Sequence, residues 1–302
     1  MATNEESPRT GQTLAIIGCG TMASAILSGV LNACAASQAQ GDEPRISRFI
    51  ATVQSEGSAA ALRSRFQDRI EVIRGDNVTA MKEADLVLLA FKPYMVDKVL
   101  RNEGVYEALL GKLVISVLVG SPVQKLEDAI RLCQPFGKGT ITNKAGALHI
   151  KRAMMNIAVE FGAGMTVIET TEDMPPSYNE LTDWIFLQCG KIQSVAPELF
   201  DIGGVMAGAS GALLSVAFDG MLDGAVSQGL KRADAKKILT QALFSLATLL
   251  ENGEHPAVLR EKFSSPKGTT IDGLLSLEED RARYAFSKAV IASSKRSQEI
   301  GK

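Results

Sequence analysis

The chain has few of the residues that common metal sites and nucleophilic sites require. It contains only two histidines and four cysteines in 302 residues. The histidines are isolated, which leaves a zinc site or a Ser-His-Asp triad without partners. The cysteines show neither metal-binding nor Cys-x-x-Cys spacing, so we expect small buried or half-buried thiols in a reducing compartment and no metal site. These residues are His149, His255, Cys19, Cys34, Cys133 and Cys189.

An excess of one charge and long apolar runs are also missing. The net charge of −2 gives no electrostatic reason to expect a nucleic acid or membrane partner. No apolar run approaches the roughly 20 residues that a membrane span needs. The start, MATNEESPRT, is polar and carries two glutamates, unlike a secretory or transit peptide. We therefore expect a cytoplasmic protein with a short disordered lead over residues 1–12.

What the sequence does have is a glycine-rich turn near its start. An apolar run at residues 14–17 stops at GCGTMA, and a helical pattern continues to about residue 35. In the spacing G-x-G-x-x-A, the first glycine permits a sharp turn, the second admits a pyrophosphate, and the small third residue lets the helix pack closely. The alternative is a turn that binds nothing. The predicted phosphate-binding residues are Gly18, Gly20, Thr21, Met22 and Ala23.

Apolar runs then alternate with helical patterns, which predicts a doubly wound parallel sheet of Rossmann type. A polar, glycine-rich stretch at 131–148 is predicted to be a long loop. Two further strands are expected at 149–155 and 164–169, the second antiparallel at the sheet edge. From about residue 201 the pattern is helical throughout, so we predict a Rossmann domain over 13–196 and an all-helical domain over 197–302. The first five strands are expected at 14–17, 47–53, 70–73, 85–91 and 112–120.

The end of the second strand bears on the choice of nicotinamide cofactor. NAD enzymes of this fold carry an acid there that binds the ribose 2′-hydroxyl, whereas here Glu56 comes one or two positions late. Gln54 and Ser55 are suited to hydrogen-bonding a 2′-phosphate, with Arg63 or Arg65 nearby. This favours NADP(H), and NAD(H) remains open.

Two further turns follow predicted strands, where open α/β sheets bind their ligands. Asn77 opens a helix after the third strand, and Phe91, Lys92 and Pro93 follow the fourth. We predict that these residues border the cofactor. A plain helix N-cap is the alternative for Asn77, and a stiff strand-ending turn is the alternative for Lys92 and Pro93.

A series of motifs, in order, resembles the pyrroline-5-carboxylate reductases, the NAD(P)H-dependent enzymes that make proline. They are IIGCGTMASA, DN at 76–77, AFKPY, VISVLVG, RAMMN at 152–156, DGMLDGAVSQGL and SSPKGTT. The resemblance spans residues 13–299. It implies a Rossmann domain followed by a helical domain that interlocks into homodimers, often assembled into larger rings.

The resemblance also implies where substrate and cofactor bind. The SSPKGTT loop matches the family's substrate-carboxylate site, and Thr270 matches a threonine near the imine nitrogen. Free N–H groups at a helix start suit a carboxylate, and because threonine is a poor acid, water or the iminium itself must carry the proton. The cofactor implied is NADPH, with NADH open, and Asn156 of RAMMN joins the predicted cofactor residues. The predicted substrate residues are Ser264, Ser265, Lys267, Gly268 and Thr269.

Four departures from the family pattern concern the substrate more than the fold, and one of them is that the 131–148 stretch is longer than most members need. Lys267 replaces a glycine, Met155 stands where many members have proline, and AGASGA at 207–212 lacks a proline. The expected reaction is reduction of 1-pyrroline-5-carboxylate to L-proline. A specialised reductase of substituted pyrrolines is the first alternative, and a non-catalytic NADP-binding protein the second. A β-hydroxyacid dehydrogenase would need a lysine on the helix at 211–230, which has none.

Overall fold

The computed structural model describes residues 11–133 and 147–300. Most of the predicted 1–12 lead and most of the predicted 131–148 loop lie outside the described residues. The chain forms two compact units. The sheet unit comprises the described residues up to Gly208 and from Ser294 onward, and the helical unit is Ala209–Ser293.

The sheet unit is built on eight strands in the order β3-β2-β1-β4-β5-β6-β7-β8. Strands β1 to β6 pair in parallel, β7 pairs antiparallel with β6, and β8 pairs in parallel with β7. This confirms the predicted Rossmann-type sheet. The strands are Gln12–Ile17 (β1), Ile46–Val53 (β2), Glu71–Arg74 (β3), Leu86–Leu89 (β4), Leu113–Ser116 (β5), His149–Met155 (β6), Gly164–Glu169 (β7) and Gly190–Val195 (β8).

The sheet edge differs from the prediction. Strand β7 is antiparallel as expected, but β8 lies outside it and forms the edge. None of the residues of β8 is buried; three are half-buried and three are exposed. Edge strands are often polar, which limits pairing with other chains. A polar strand of this kind leaves no apolar run, so the sequence pattern missed it.

Helices cover both faces of the sheet, which explains why its strands are continuously apolar. Leu14 and Ile16 of β1 pack in one apolar layer with the first helix, and Ala15 and Ile17 pack in the layer on the opposite face. The helices of this unit are Thr21–Ala39 (α1), Glu56–Phe66 (α2), Asn77–Glu83 (α3), Val96–Leu100 (α4), Val105–Leu109 (α5), Val123–Arg131 (α6), Pro176–Leu187 (α7) and Phe200–Gly208 (α8).

Two described segments are long and apolar enough to cross a membrane by length and composition alone: α1 and Pro197–Ser227. The expectation that no such run exists was therefore wrong. Both segments are rich in alanine and glycine, and their mean hydropathy is nevertheless high enough for a membrane span. Helix α1 is a core helix, with Ile26, Leu27 and Val30 fully buried. The core helices of soluble proteins also meet this criterion of length and composition, so meeting it is only weak support for a membrane span.

The helical unit is a set of helices with large apolar faces left exposed. Leu214, Val216, Ile238 and Phe244 are each at least half exposed in the single chain. Apolar surface on this scale marks an interaction face. The helices are Ser210–Ser227 (α9), Arg232–Glu251 (α10), Pro256–Lys262 (α11), Thr269–Glu279 (α12) and Ala282–Ile300 (α13), whose last residues belong to the sheet unit.

The change from sheet to helical unit falls after α8, whereas the sequence pattern placed it after residue 196. Phe200 of α8 is buried in a cluster with Val167 of β7. A Cβ atom on Gly204 would lie 2.4 Å from the Met154 sulfur, so glycine lets this helix approach β6. Helix α8 therefore packs on the sheet although its sequence resembles that of the helices after it.

Candidate functional site

A cleft of about 320 Å3 opens where β1, β2 and β4 end. Strand β1 has β2 on one side and β4 on the other, so this is the switch point at which open α/β sheets bind ligands. The cleft brings together most residues predicted for the cofactor, namely Gly18, Gly20, Gln54, Ser55, Asn77, Phe91 and Lys92. Thr21, Met22, Ala23, Pro93 and Asn156 are not among its lining residues.

Gly18 makes the sharp turn that shapes the cleft floor. Its φ angle is +86°, and an added Cβ atom would lie 2.7 Å from the Phe91 Cβ and 2.8 Å from the Phe91 Cα. Its N–H donates to the Thr52 hydroxyl at 3.1 Å. Only glycine tolerates both this backbone angle and this approach.

Gly20 has ordinary backbone angles but faces open space, since an added Cβ atom would meet nothing within 4 Å. Helix α1 starts directly after it at Thr21, and neither a capping side chain nor an acid lies in its first turn. The free N–H groups and the positive end of the helix dipole suit an anion. This turn therefore fits the pyrophosphate of a dinucleotide.

The small residue after these glycines packs as the motif predicts. Ala23 is buried, which lets α1 lie against the sheet. Cys19 is also buried, with its sulfur 3.6 Å from the Ser24 hydroxyl. Burial raises the pKa of the Cys19 thiol. The thiol therefore stays neutral at physiological pH and adds no negative charge beside the phosphate position.

Ser55 and Asn77 border the cleft at the starts of two helices. Ser55 caps α2, where its hydroxyl oxygen accepts the Ser58 N–H at 3.2 Å. Helix α3 is capped by Asp76, which accepts the Thr79 N–H at 3.0 Å, and this bond lowers the pKa of the Asp76 carboxyl. The alternative N-cap role of Asn77 is therefore wrong, because the preceding aspartate takes it.

The end of β4 combines a stiff turn with cleft-lining residues. Pro93 starts a short 3-10 turn, Pro93–Met95, and Lys92 is exposed at the cleft. The segment can therefore be a stiff strand-ending turn and border the cofactor at the same time. Of the two arginines predicted near the cofactor, Arg65 instead points to the Ser28 hydroxyl at 3.3 Å. Two residues along a helix lie about 200° apart, so Arg63 and Arg65 face different ways.

Three polar residues near the cleft were missed by the sequence analysis. Thr52 interrupts the apolar end of β2, one residue before Val53, and its hydroxyl accepts a hydrogen bond from the Gly18 turn. Ser58 lines the cleft one helical turn after Ser55. Arg74 ends β3 opposite Val53 of β2. A polar or charged residue that interrupts or ends an apolar strand was the available signal for Thr52 and Arg74.

Asn156 ties β6 to α8 rather than lining the cleft. Its amide nitrogen donates to the Ala207 carbonyl at 3.2 Å, and its oxygen accepts the Ala158 N–H at 3.2 Å. Its side-chain donor and acceptor are therefore both engaged within the chain. A cofactor contact by Asn156 stays a prediction.

The Ser264–Thr270 loop leads into α12 with an uncapped helix start. Gly268 precedes the helix, and an added Cβ atom there would lie 2.4 Å from the Ser265 hydroxyl and 3.0 Å from its carbonyl oxygen. The Ser264 hydroxyl donates to the Arg260 carbonyl at 2.7 Å, so it braces the loop. Thr269 and Thr270 form the exposed first turn, where free N–H groups suit a carboxylate.

Lys267 adopts a backbone conformation that favours glycine, with φ at +58°. Its side chain is exposed, and no partner for it occurs among residues 11–133 and 147–300. We expect Lys267→Gly to raise the free energy of unfolding by about 0.5 kcal/mol, because relief of left-handed strain exceeds the added entropy of the unfolded chain. Urea unfolding measures this. Lys267→Ala, which keeps the strain, should give no gain, and an equal gain from both would contradict the explanation.

Comparisons with known proteins agree with this geometry. Residues 197–300 match the family model for pyrroline-5-carboxylate reductase dimerisation, and residues 13–120 match that for NADP oxidoreductase coenzyme F420-dependent. A pyrroline-5-carboxylate reductase from Lophium arboricola is 36% identical, covering 96% of this chain and 93% of that protein. The one from Neurospora crassa is 35% identical with the same coverage.

Solved structures show the same fold. A Plasmodium falciparum pyrroline carboxylate reductase with NADP bound superimposes with a TM-score of 0.78 at 22% identity, covering 97% of this chain and 100% of that one. A Coxiella burnetii pyrroline-5-carboxylate reductase gives 0.77 at 25% identity, covering 96% and 99%. The fold and the resemblance read from the motifs are confirmed, and the chain belongs to the pyrroline-5-carboxylate reductase family.

Proposed function

We propose that this protein reduces the C=N bond of 1-pyrroline-5-carboxylate to give L-proline, using NADPH, with NADH open as a second donor. The observation that carries the proposal is the uncapped start of α12 in the Ser264–Thr270 loop, in a chain that also has a dinucleotide cleft. Relatives that share most of its length are named for this reaction. A reductase of this kind belongs to the oxidoreductases that act on CH-NH donors.

The sheet unit would hold the cofactor at the cleft. The bound nicotinamide supplies the hydride. The turn through Gly20 and the N–H groups at the start of α1 receive the pyrophosphate. Asn77, Phe91 and Lys92 border the same cleft and limit where the rest of the cofactor can lie. Positioning and fixed electrostatics of this kind supply most of what hydride transfer to an imine requires.

The Ser264–Thr270 loop would hold the substrate carboxylate. Thr269 and Thr270 are exposed residues of the uncapped first turn of α12, at the positive end of the helix, where free N–H groups can donate to a carboxylate. The Thr270 hydroxyl would donate a hydrogen bond to the ring nitrogen or relay a proton through water. Threonine is a poor acid, so the proton itself comes from water or from the iminium.

The direct test is the oxidation of NADPH by purified full-length protein with 1-pyrroline-5-carboxylate, with L-proline identified by chromatography. We expect turnover with formation of L-proline. NADPH binding without turnover of any imine would contradict the proposal and favour a non-catalytic NADP-binding protein.

Thr270→Ala is expected to lower kcat about tenfold, because the hydrogen bond to the reacting nitrogen is lost. Thr270→Ser keeps the hydroxyl and should retain most of the activity. Thr270 is exposed, so neither change should alter unfolding by urea. An alanine variant with wild-type kcat would show that Thr270 has no such role.

A second substrate class is favoured by Lys267, an exposed lysine in a conformation that favours glycine, inside the loop that would bind substrate. This candidate is a substituted pyrroline or another cyclic imino acid of specialised metabolism. A panel of cyclic imines, each assayed with NADPH and NADH, separates the two. Ordinary enzymatic turnover of 1-pyrroline-5-carboxylate would rule out the specialised substrate as the main one.

The assembly we propose is a homodimer through the helical unit, on which larger rings can be built. It is supported by the exposed apolar faces of α9 and α10 and by the match to the dimerisation model. We place the protein in the cytoplasm, which its free cysteines support. Neither nucleic acid nor a membrane is a partner in this proposal. Light scattering of the purified protein tests the dimer.

A further inference from the structure

Two arginines converge on one glutamate beside the cofactor cleft. The Glu56 carboxylate lies 3.1 Å from Nη1 of Arg63 and 3.6 Å from Nη1 of Arg74. Arg63 reaches back along α2, and Arg74 ends β3 directly opposite Val53 of β2. The three side chains thus come from two elements and meet at the carboxyl edge of the sheet.

Stability does not account for this arrangement. All three side chains are more than half exposed. Ion pairs at such exposure contribute little to folding. With two guanidinium groups and one carboxylate, the cluster carries a net charge of about +1. An exposed cluster with unbalanced positive charge is suited to an anion.

The position of the cluster identifies the anion. Glu56 directly follows Gln54 and Ser55, which line the cleft at the end of β2. In this fold the end of the second strand faces the ribose 2′ position, where an acid binds the hydroxyl of NAD and an arginine accommodates the phosphate of NADP. The planar guanidinium group matches a phosphate in geometry as well as charge.

We propose that Arg63 and Arg74 bind the 2′-phosphate of NADPH, and that Glu56 competes with this phosphate for the two arginines. A phosphate with up to two negative charges displaces the single carboxylate, and the ion pairs keep both arginines near the site until then. The proposal rests on the cofactor role proposed for the cleft and is independent of the imine substrate.

The two kinds of residue should change cofactor selectivity in opposite directions. Removing Arg63 or Arg74 weakens binding of the 2′-phosphate and leaves the rest of the nucleotide unaffected. Glu56→Gln removes the competing charge, so it tightens binding of a 2′-phosphate. The same change adds no carboxylate for the ribose 2′-hydroxyl of NADH, so it does not improve the binding of NADH.

The experiment compares two probes, adenosine 2′,5′-bisphosphate and adenosine 5′-monophosphate, by calorimetry on the full-length protein. We expect Arg63→Ala and Arg74→Ala each to raise the Kd for the bisphosphate about tenfold. The Kd for the monophosphate should stay within about twofold of the wild-type value. Glu56→Gln should lower the Kd for the bisphosphate about threefold. In steady-state assays the KM for NADPH should change in the same direction as the Kd for the bisphosphate, and kcat should stay unchanged.

Arg69→Ala is the matched control, since it removes one exposed arginine of the same unit whose Nη2 points to the Asn32 side chain at 3.5 Å. Arginine variants that behave like this control would overturn the proposal, and Glu56→Gln without tighter binding would overturn the competing role of Glu56. If the wild type fails to reduce 1-pyrroline-5-carboxylate but the bisphosphate effects appear, the proposed function fails and this inference stands. If the wild type reduces 1-pyrroline-5-carboxylate but the bisphosphate effects are absent, the proposed function stands and this inference fails.

Discussion

Gly20→Asp is expected to abolish NADPH binding, raising its Kd at least about 100-fold, while the protein remains folded. An added Cβ atom at Gly20 meets no neighbour within 4 Å, and the backbone angles of Gly20 suit any residue. The new carboxylate would lie in the space predicted for the pyrophosphate and repel it. Calorimetric titration with NADPH measures the loss.

Stability should not fall in this variant. Gly20 is the N-cap of α1, and aspartate is at least as good as glycine at that position, so the free energy of unfolding should stay within about 0.5 kcal/mol of the wild type. Urea unfolding checks this. Wild-type affinity for NADPH in Gly20→Asp would show that the cofactor does not use this turn.

Gly18→Ala is the informative contrast two residues away. There the φ angle is +86°, and the new methyl group would lie 2.8 Å from the Phe91 Cα and 2.9 Å from its backbone nitrogen. The backbone of the β4 turn would have to move, at a cost of about 3 kcal/mol of stability. Gly18→Ala thus tests the fold of the turn, and Gly20→Asp tests what the turn binds.

Arg152→Met is expected to lower the free energy of unfolding by about 3 kcal/mol, because it leaves a buried carboxylate without its partner. Nη1 of Arg152 donates to Glu169 at 2.7 Å, and both side chains are buried. Nη2 contacts Asp201 at 3.3 Å, and the guanidinium group lies 4.1 Å from the centre of the Phe200 ring. The arginine therefore joins β6, β7 and α8.

The deficit should depend on pH in a defined direction. Burial raises the pKa of the Glu169 carboxyl, and Arg152 acts against that rise. Without Arg152 the folded-state pKa rises further above the ordinary value of about 4.5. A raised carboxyl pKa contributes stability that is present below the unfolded-state value and lost as pH rises through the folded-state value. The variant should therefore be least impaired near pH 4.5 and most impaired at neutral pH.

Two controls separate burial from ion pairing. Arg152→Met combined with Glu169→Leu should recover much of the stability, because no charge of the pair then stays buried. Arg48→Met removes an exposed arginine that lies 2.6 Å from Glu71, and it should cost less than about 1 kcal/mol. Equal losses from Arg48→Met and Arg152→Met would contradict the account.

The sequence alone determined the features that depend on local patterns. Buried parallel strands leave continuous apolar runs, and the turn at Gly18 and Gly20 has a spacing that follows from backbone geometry. The loop ending at Gly268 was recognisable because glycine and hydroxyl residues before an apolar-periodic run are typical of a helix start. Each signal lies within a few residues of chain, so no knowledge of the fold was needed to read it.

Only the tertiary structure decided which residues from distant segments meet. It put the polar strand β8 at the edge, and it brought Arg74 opposite Val53, although the two residues are 21 positions apart in the chain. It also assigned α8 to the sheet through the burial of Phe200. Pairing and burial of this kind depend on the free energy of the whole packed unit, and similar local sequences are compatible with either outcome.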